Sequence, residues 1–541
     1  MPHPKTYKDY VEALCPRYPS LLTLYGFLSN PRARRQSCRV SALDFQRGSP
    51  TPTARQIGGI DHLSSELLSK ADISHGGSED DHSQPLQGRM LVIEDLTVEI
   101  IELLGSELDI DPLFFAMHLH TVQRKAMRHP IPNEATLPSR LLSQNYLNAA
   151  YHCPVTYDNA DLAGRQLVGD TAIDRKVVFL RSTTVGLAAR QVSIIKIRRS
   201  NGLWLALTLV DPPLGDVYFT SGHKEDATHK VQLILRPFLG AYEDFADPPK
   251  FSENWNTLND CPRGGMLDDV VQRWQARVPA CFNREDPTIQ SLAYYPLKIV
   301  AAEWVKYHAV MRHCIKQYEY RGNQLPDLDK FNADLRELQG WQRRSTISQE
   351  KIKLVIRNLR SQNSLGSRSC AAMDHVIKDF EVINSNIETA GARLENMLPV
   401  VTSLVSIIDA RQNFAETLNI SRLTVLALIF VPLSYVSSLF SMNPDNMPGS
   451  PHFWVYFAVA VPVTTLVFIV ARPPHFELQS ALAWICRLWR PKRKSEPPAE
   501  IKSAQAKNSK TFTWFRGWWK HGMTPDTSKN VKSVEQDASK A

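Results

Sequence analysis

Small and hydroxyl-bearing residues recur through one stretch of the sequence: Ala427, Val431, Ser434, Ser438 and Ser441, at steps of three and four. On a helix those steps bring the five side chains to one face. Two kinds of chemistry need such a face in an apolar setting. It can let a second helix approach closely and hydrogen-bond to the hydroxyls. Alternatively, its oxygens can line a water-filled passage for ions. The setting here is apolar. Residues 423–440 and 453–471 are runs of 18 and 19 residues without a charged side chain. Each makes a helix about 27–29 Å long, against ~30 Å of bilayer hydrocarbon. Both are expected to span a membrane.

Other reactive residue types form no such pattern. His118-Leu119-His120 has i, i+2 spacing, wrong for one helical face, and no cysteine or acid completes a metal set. There is no G-x-S-x-G, P-loop, dinucleotide fingerprint or H-E-x-x-H, so no enzyme is expected. Eight scattered cysteines include no C-x-x-C pair, which fits reduced thiols rather than a disulfide framework.

The stripe needs elements to hold it. From Phe380 a seven-residue apolar repeat forms two seams, one through Ile387, Leu394, Val401, Ile408 and Ala415, the other through Ile383, Ala390, Met397, Leu404, Arg411 and Leu418. This is the pattern of a coiled-coil stalk helix that packs along other helices, with Pro399 expected to bend or loosen it. Further forward, residues 91–96 look like a strand, 98–104 like a helix, and Asp111-Pro112 like a helix start. The β-rich runs 191–198 and 203–210 are joined through Ser200-Asn201-Gly202, a hairpin signal. After Pro287 the chain turns helical, with Leu292, Ile299, Val300, Trp304, Val305 and His308 expected on one side. Residues 31–88 are rich in Ser, Gly, Arg and Asp and poor in apolar clusters. Such a segment cannot offset its ordering entropy by burial.

The expected architecture is therefore an α-helical membrane protein, two C-terminal transmembrane helices on a long stalk helix, with an N-terminal mixed α/β cytosolic domain. Its parts are a mostly disordered segment (1–88), an α/β domain (89–320), a helical stalk region (321–422), a transmembrane hairpin (423–471) and a basic, largely disordered tail (472–541).

The formal charge of +8 lies in that tail, which holds 14 Lys/Arg against 6 Asp/Glu, and the rest of the chain is neutral. A nucleic-acid-binding body, which needs a basic face on a folded domain, is excluded. Residues 510–521 mix cations with Phe512, Trp514, Phe515, Trp518 and Trp519, which suits either the headgroup layer of an anionic membrane or a disordered tail. Residues 1–30 contain no apolar run behind a basic start, so no secretory signal is expected there. The loop 441–452 has no Lys or Arg, whereas Arg422 and Arg472 flank the spans. The positive-inside rule then puts both termini in the cytosol, with the plasma membrane favoured. In a mitochondrial inner membrane both would face the matrix.

Phe430-Val431-Pro432-Leu433-Ser434, Phe440-Ser441-Met442-Asn443 and Met447-Pro448 resemble the CorA family of magnesium channels, whose first span ends in Gly-Met-Asn and is often followed by Met-Pro-Glu. The order of parts from about 90 to 495 is also similar. Val92-Ile93-Glu94-Asp95 and the 209–214 segment resemble the divergent fungal-type CorA-like proteins. The resemblance implies a homopentamer in membrane lipid that conducts divalent cations, chiefly Mg²⁺, with a cytosolic regulatory domain to which Mg²⁺ also binds. It implies Asn443 in a ring at the outer mouth with Met442 beside it, Val431 and Ser434 lining the pore below, and Ile420 and Leu423 in a constriction near the cytosol. Ser441 replaces the family's glycine, where a tight turn is expected. Gly449 stands where the loop's glutamate is expected, leaving Asp445 as the outer acid. These departures motivate an alternative: a poorly conducting, membrane-anchored oligomeric sensor or scaffold on the same frame.

Overall fold

The computed structural model describes residues 6–30, 38–68, 86–120, 131–132, 134–181, 183–199, 202–220, 230–245, 248, 250–252, 265–321, 328–364, 370–442 and 452–471. Contacts divide the chain into two units, Met1–Thr417 and Leu418–Ala541.

The first unit opens with helices α1 (Tyr7–Leu14) and α2 (Leu22–Leu28), strands β1 (Arg39–Gln46) and β2 (Thr53–Ile57), and α3 (Ile60–Leu68). Then come β3 (Leu86–Glu94), α4 (Val98–Leu108), α5 (Pro112–Leu119) and α6 (Pro138–Leu142). Strands follow: β4 (Tyr146–Thr156), β5 (Gln166–Gly169), β6 (Lys176–Phe179), β7 (Val185–Arg198), β8 (Trp204–Val210), β9 (Val217–Thr220), β10 (Lys230–Gln232) and β11 (Arg236–Pro237). Helices α7 (Met266–Ala276), α8 (Ile289–Leu292), α9 (Tyr294–Arg321) and α10 (Leu328–Ser364) precede α11 (Ala371–Phe440), which runs on into the second unit, where α12 (Trp454–Ala471) follows.

The strands form one sheet in the order β10-β9-β5-β6-β7-β8-β3-β1-β2, with β4 also paired to β7 and β11 to β4. Only β3 and β8 pair in parallel among the described strands. All seven residues of β8 are buried, as expected of a strand covered on both faces. Alternation sorts them: Trp204, Ala206 and Val210 face the core shared with α7–α11, while Leu205, Leu207 and Leu209 face the core shared with α1–α5. The unit is a three-layer stack.

Local signals in the sequence hold where they were strong. β7 and β8 form an antiparallel hairpin ending at Arg198 and Trp204, with Gly202 at φ +83°. Ser200 and Asn201 lie outside the described residues. Asp111 caps α5 by accepting from Leu113 N (2.9 Å), with Pro112 in the first helical turn. His118 is wholly buried, and its Nδ1 lies 2.9 Å from Ser193 Oγ. Burial, with Arg175 nearby, pushes its pKa down to about 3, so it is a neutral core histidine.

Two expectations need correcting. The 1–88 segment is not mostly disordered in its described parts. β1 is paired on both edges, by β2 and by β3 (Val40 opposite Ile93), and Arg39 forms ion pairs with Glu94 (2.7 Å) and Asp268 (3.0 Å). Its apolar partners come from residues far along the chain, so local composition understates what it buries. Val305 does not share the buried side of α9 with Trp304; it is 55% exposed. The calls on residues 69–85 and on the tail 472–541 lie outside the described residues.

Candidate functional site

The seven residues Ile420, Leu423, Ala427, Val431, Ser434, Ser438 and Ser441 follow one another at steps of three and four along the last part of α11 and the turn after it. At ~100° per residue they fall within about 80° of one another. All seven are exposed. The first six lie within the helical segment Ser406–Phe440, long and apolar enough to cross a membrane and only 11% buried over its most apolar window. A core helix of a soluble protein would be mostly buried.

What covers the rest of this helix decides how the stripe is read. Ser437 Oγ meets Tyr456 Oη of α12 at 2.9 Å, and the Phe440 and Tyr456 rings meet edge to face at 5.9 Å. Pro432 and Val436 are the buried positions on this part of α11. Those four positions centre on a direction roughly 140° round the helix from the stripe. Within the second unit, α12 therefore leaves the stripe uncovered.

The hydroxyls of the stripe are also oriented. Ser434 Oγ donates to Val431 O (2.9 Å) and Ser441 Oγ to Ser438 O (2.8 Å). A hydroxyl has one hydrogen and two lone pairs, so each of these presents acceptor capacity outward. In hydrocarbon, back-bonding of this kind also satisfies a polar group internally. Thr424, Thr464 and Thr465 do the same towards Ile420 O, Ala460 O and Val461 O.

Ser441 is not the strained corner expected of a position that favours glycine. Its N–H donates to Ser437 O at 3.0 Å, continuing the helical pattern, and it is absent from the positive-φ residues. Met442, beside it, is exposed, its N–H 3.4 Å from Leu439 O. Asn443 and Asp445, with Met447, Pro448 and Gly449, lie outside the described residues. Among the described residues no group of three or more His, Cys, Asp or Glu is placed to hold a metal ion.

Residues 266–472 match the family model for the CorA-like Mg2+ transporter protein. Over that segment the chain is similar to that family. The matched segment begins at the start of α7 and takes in α8–α12; it contains the motifs near 430–448, is shorter than the stretch from about 90 to 495 over which the order of parts is similar, and leaves the sheet outside it. No curated protein matches the chain. Among solved structures, the CorA magnesium transporter from Methanocaldococcus jannaschii is similar at 11% identity, over 81% of this chain and 98% of that one, with a TM-score of 0.35. The full-length CmaX protein is similar at 12% identity, over 81% and 98%, with a TM-score of 0.34. At those scores the likeness adds nothing to the account of this fold.

One contact between α11 and α12 is not foreshadowed by the sequence pattern: Tyr456 hydrogen-bonds Ser437. No periodicity within either span specifies which of its faces the other helix takes.

Proposed function

We propose that the chain assembles as a homopentamer and conducts divalent cations, Mg²⁺ first among them, across a membrane. The passage is lined by Ile420, Leu423, Ala427, Val431, Ser434, Ser438 and Ser441, with Met442, Asn443 and Asp445 at its outer mouth. Residues 453–471 form the second span, and both termini lie on the cytosolic side.

The observation that carries this reading is the hydroxyl stripe turned away from α12. Mg²⁺ sheds its water reluctantly. A hydrated ion turns water hydrogens outward, so a suitable wall accepts hydrogen bonds. Ser434 and Ser441, whose hydrogens go to Val431 O and Ser438 O, supply acceptors. The amide oxygen of Asn443 supplies another at the mouth. Ile420 and Leu423, on the same face, make an apolar constriction of the kind that gates by excluding water. The helical hydrogen bonding of Ser441 supports a conducting channel over a poorly conducting scaffold, because the serine meets no need for a left-handed residue there.

The test is Mg²⁺ entry into proteoliposomes carrying an Mg²⁺-sensitive dye. Asn443→Ala should abolish or strongly reduce entry while assembly, read by native mass spectrometry, stays intact. Unchanged entry through a correctly assembled variant would remove Asn443 from the mechanism, and no entry through the wild type would overturn the reading.

A further inference from the structure

In the first unit, α9, α11 and residues 239–245 line a groove of about 1170 Å³, a little above the ~300–1000 Å³ typical of small-molecule sites. Much of its wall is aliphatic: Ala301 and Ala302, with Val305 and Val382, which are 55% and 60% exposed. Tyr242 and Phe245 contribute aromatic rings, their centroids 6.5 Å apart.

Lys306 lies where this groove meets a second, inner cavity of about 80 Å³, which it also lines. Lys306 and Glu303 are each only 6% exposed, with Lys306 Nζ 2.8 Å from Glu303 Oε1. Among the described residues the ammonium has no other partner and Glu303 Oε2 is buried without one, the Cys153 thiol being the other group set against this carboxyl. An ammonium carries three donors, and a buried ion pair offsets its desolvation only when its remaining donors and lone pairs are also met. The pair is therefore incomplete, and its lysine lines both the groove and the smaller cavity. Lys298 and Lys378 bring two more ammoniums to the same groove, Lys298 held by Asp379 at 2.7 Å. On the facing segment Asp244 is paired with Arg273 at 2.7 Å, and Glu243 is exposed.

We infer that this groove binds an organic anion, a carboxylate or phosphate on an apolar body, with the head on Lys306 and the body against Val305 and Val382. The head supplies the acceptors that Lys306 lacks, and the body covers the exposed aliphatic wall. Burial holds the Glu303 carboxyl above its ordinary range, against the pull of the Lys306 ammonium.

The probes are 4-phenylbutyrate and 4-phenylbutyl phosphate, with uncharged 4-phenylbutanol as the control. Each is titrated calorimetrically into the full-length protein in lipid nanodiscs, with empty nanodiscs as reference. The expected result is saturable binding of at least one anion, one per chain, and at least tenfold weaker binding of the alcohol. The relative affinities of the two anions tell which head the site prefers. Lys306→Met should weaken anion binding at least tenfold. Because that change leaves Glu303 without its partner, Val382→Trp, which fills the groove and leaves the pair intact, gives a second reading and should weaken binding as much. No saturable binding above the reference, or binding unchanged in Val382→Trp, would overturn the inference. So would a Val382→Cys thiol shielded from maleimide in the assembled protein, which would mean that another copy or segment fills the groove.

Discussion

Replacing Asp95 by Asn removes a charge from a place that the fold keeps dry. Asp95 follows β3, is 6% exposed and accepts from Ala172 N at 3.0 and 3.1 Å. Its backbone N–H donates to Val210 O at 3.2 Å, and its φ is +59°, a conformation that asparagine tolerates better than most residues. Burial, with Asp211 adding to it, raises its pKa from 3.8 to about 6. A shift of that size corresponds to about 3 kcal/mol. Between pH 3.8 and 6 the folded chain binds more protons than the unfolded one, so stability falls as pH rises and the full cost is reached above 6. Asparagine is neutral throughout and keeps an acceptor for Ala172 N. Asp95→Asn should therefore be the more stable protein by up to ~3 kcal/mol at pH 7.5, with roughly half of that advantage remaining at pH 5. The assay is thermal unfolding of the detergent-solubilised full-length protein, followed by tryptophan fluorescence at both pH values. A variant less stable than wild type at pH 7.5, or a gain that does not shrink at pH 5, would refute the reasoning.

Ser441→Gly should lower Mg²⁺ entry into proteoliposomes, because it removes an acceptor from the wall, while glycine's freedom is not used by a serine already in helical geometry; a tenfold rise would contradict this. Leu394→Ala should lower stability by about 2–5 kcal/mol, since Leu394 is wholly buried in the first unit's core, as read by the thermal midpoint. Phe414→Ala, at a 71% exposed position, should instead leave that midpoint nearly unchanged and weaken assembly in native mass spectrometry; loss of stability without loss of assembly would count against the oligomer.

Much of this fold was written locally. A strand before residue 96, the helix after Val98, the Asp111-Pro112 cap and the pairing of the runs on either side of 200–202 each announce themselves within a dozen residues; the strand runs Leu86–Glu94, ending two residues earlier than expected. The N-terminal strands do not announce themselves. Arg39, within the segment expected to be mostly disordered, owes its place to Glu94 and Asp268, 55 and 229 residues away. The order of the sheet is similarly non-local, because β3 and β8 pair in parallel across more than a hundred intervening residues. At the candidate site, a period of 3.6 is enough to find the stripe. Whether the stripe is covered depends on the face that α12 takes, which Ser437 and Tyr456 reveal only in three dimensions. Val305 shows the same limit on α9: next to Trp304 in sequence, it is turned towards the groove.

The repeat along α11 itself argues for more than one copy. Phe380, Ile383, Ile387, Ala390 and Leu394 are buried against the rest of their own chain. Beyond Leu398 that covering ends. Val400, Ile407 and Phe414, at steps of seven, are 60, 51 and 71% exposed, and on a straight helix they form one apolar row. Roughly opposite lie Thr402, Ser406, Asp409, Asn413 and Glu416, at steps of four and three, all polar and all exposed. A helix polar on one side and apolar on the other asks for a covering on the apolar side only. A lone stripe of hydroxyls makes one wall, and a passage needs several walls around an axis. The residues that line the proposed channel and the residues left bare on the stalk thus make the same demand, and further copies of this chain satisfy both.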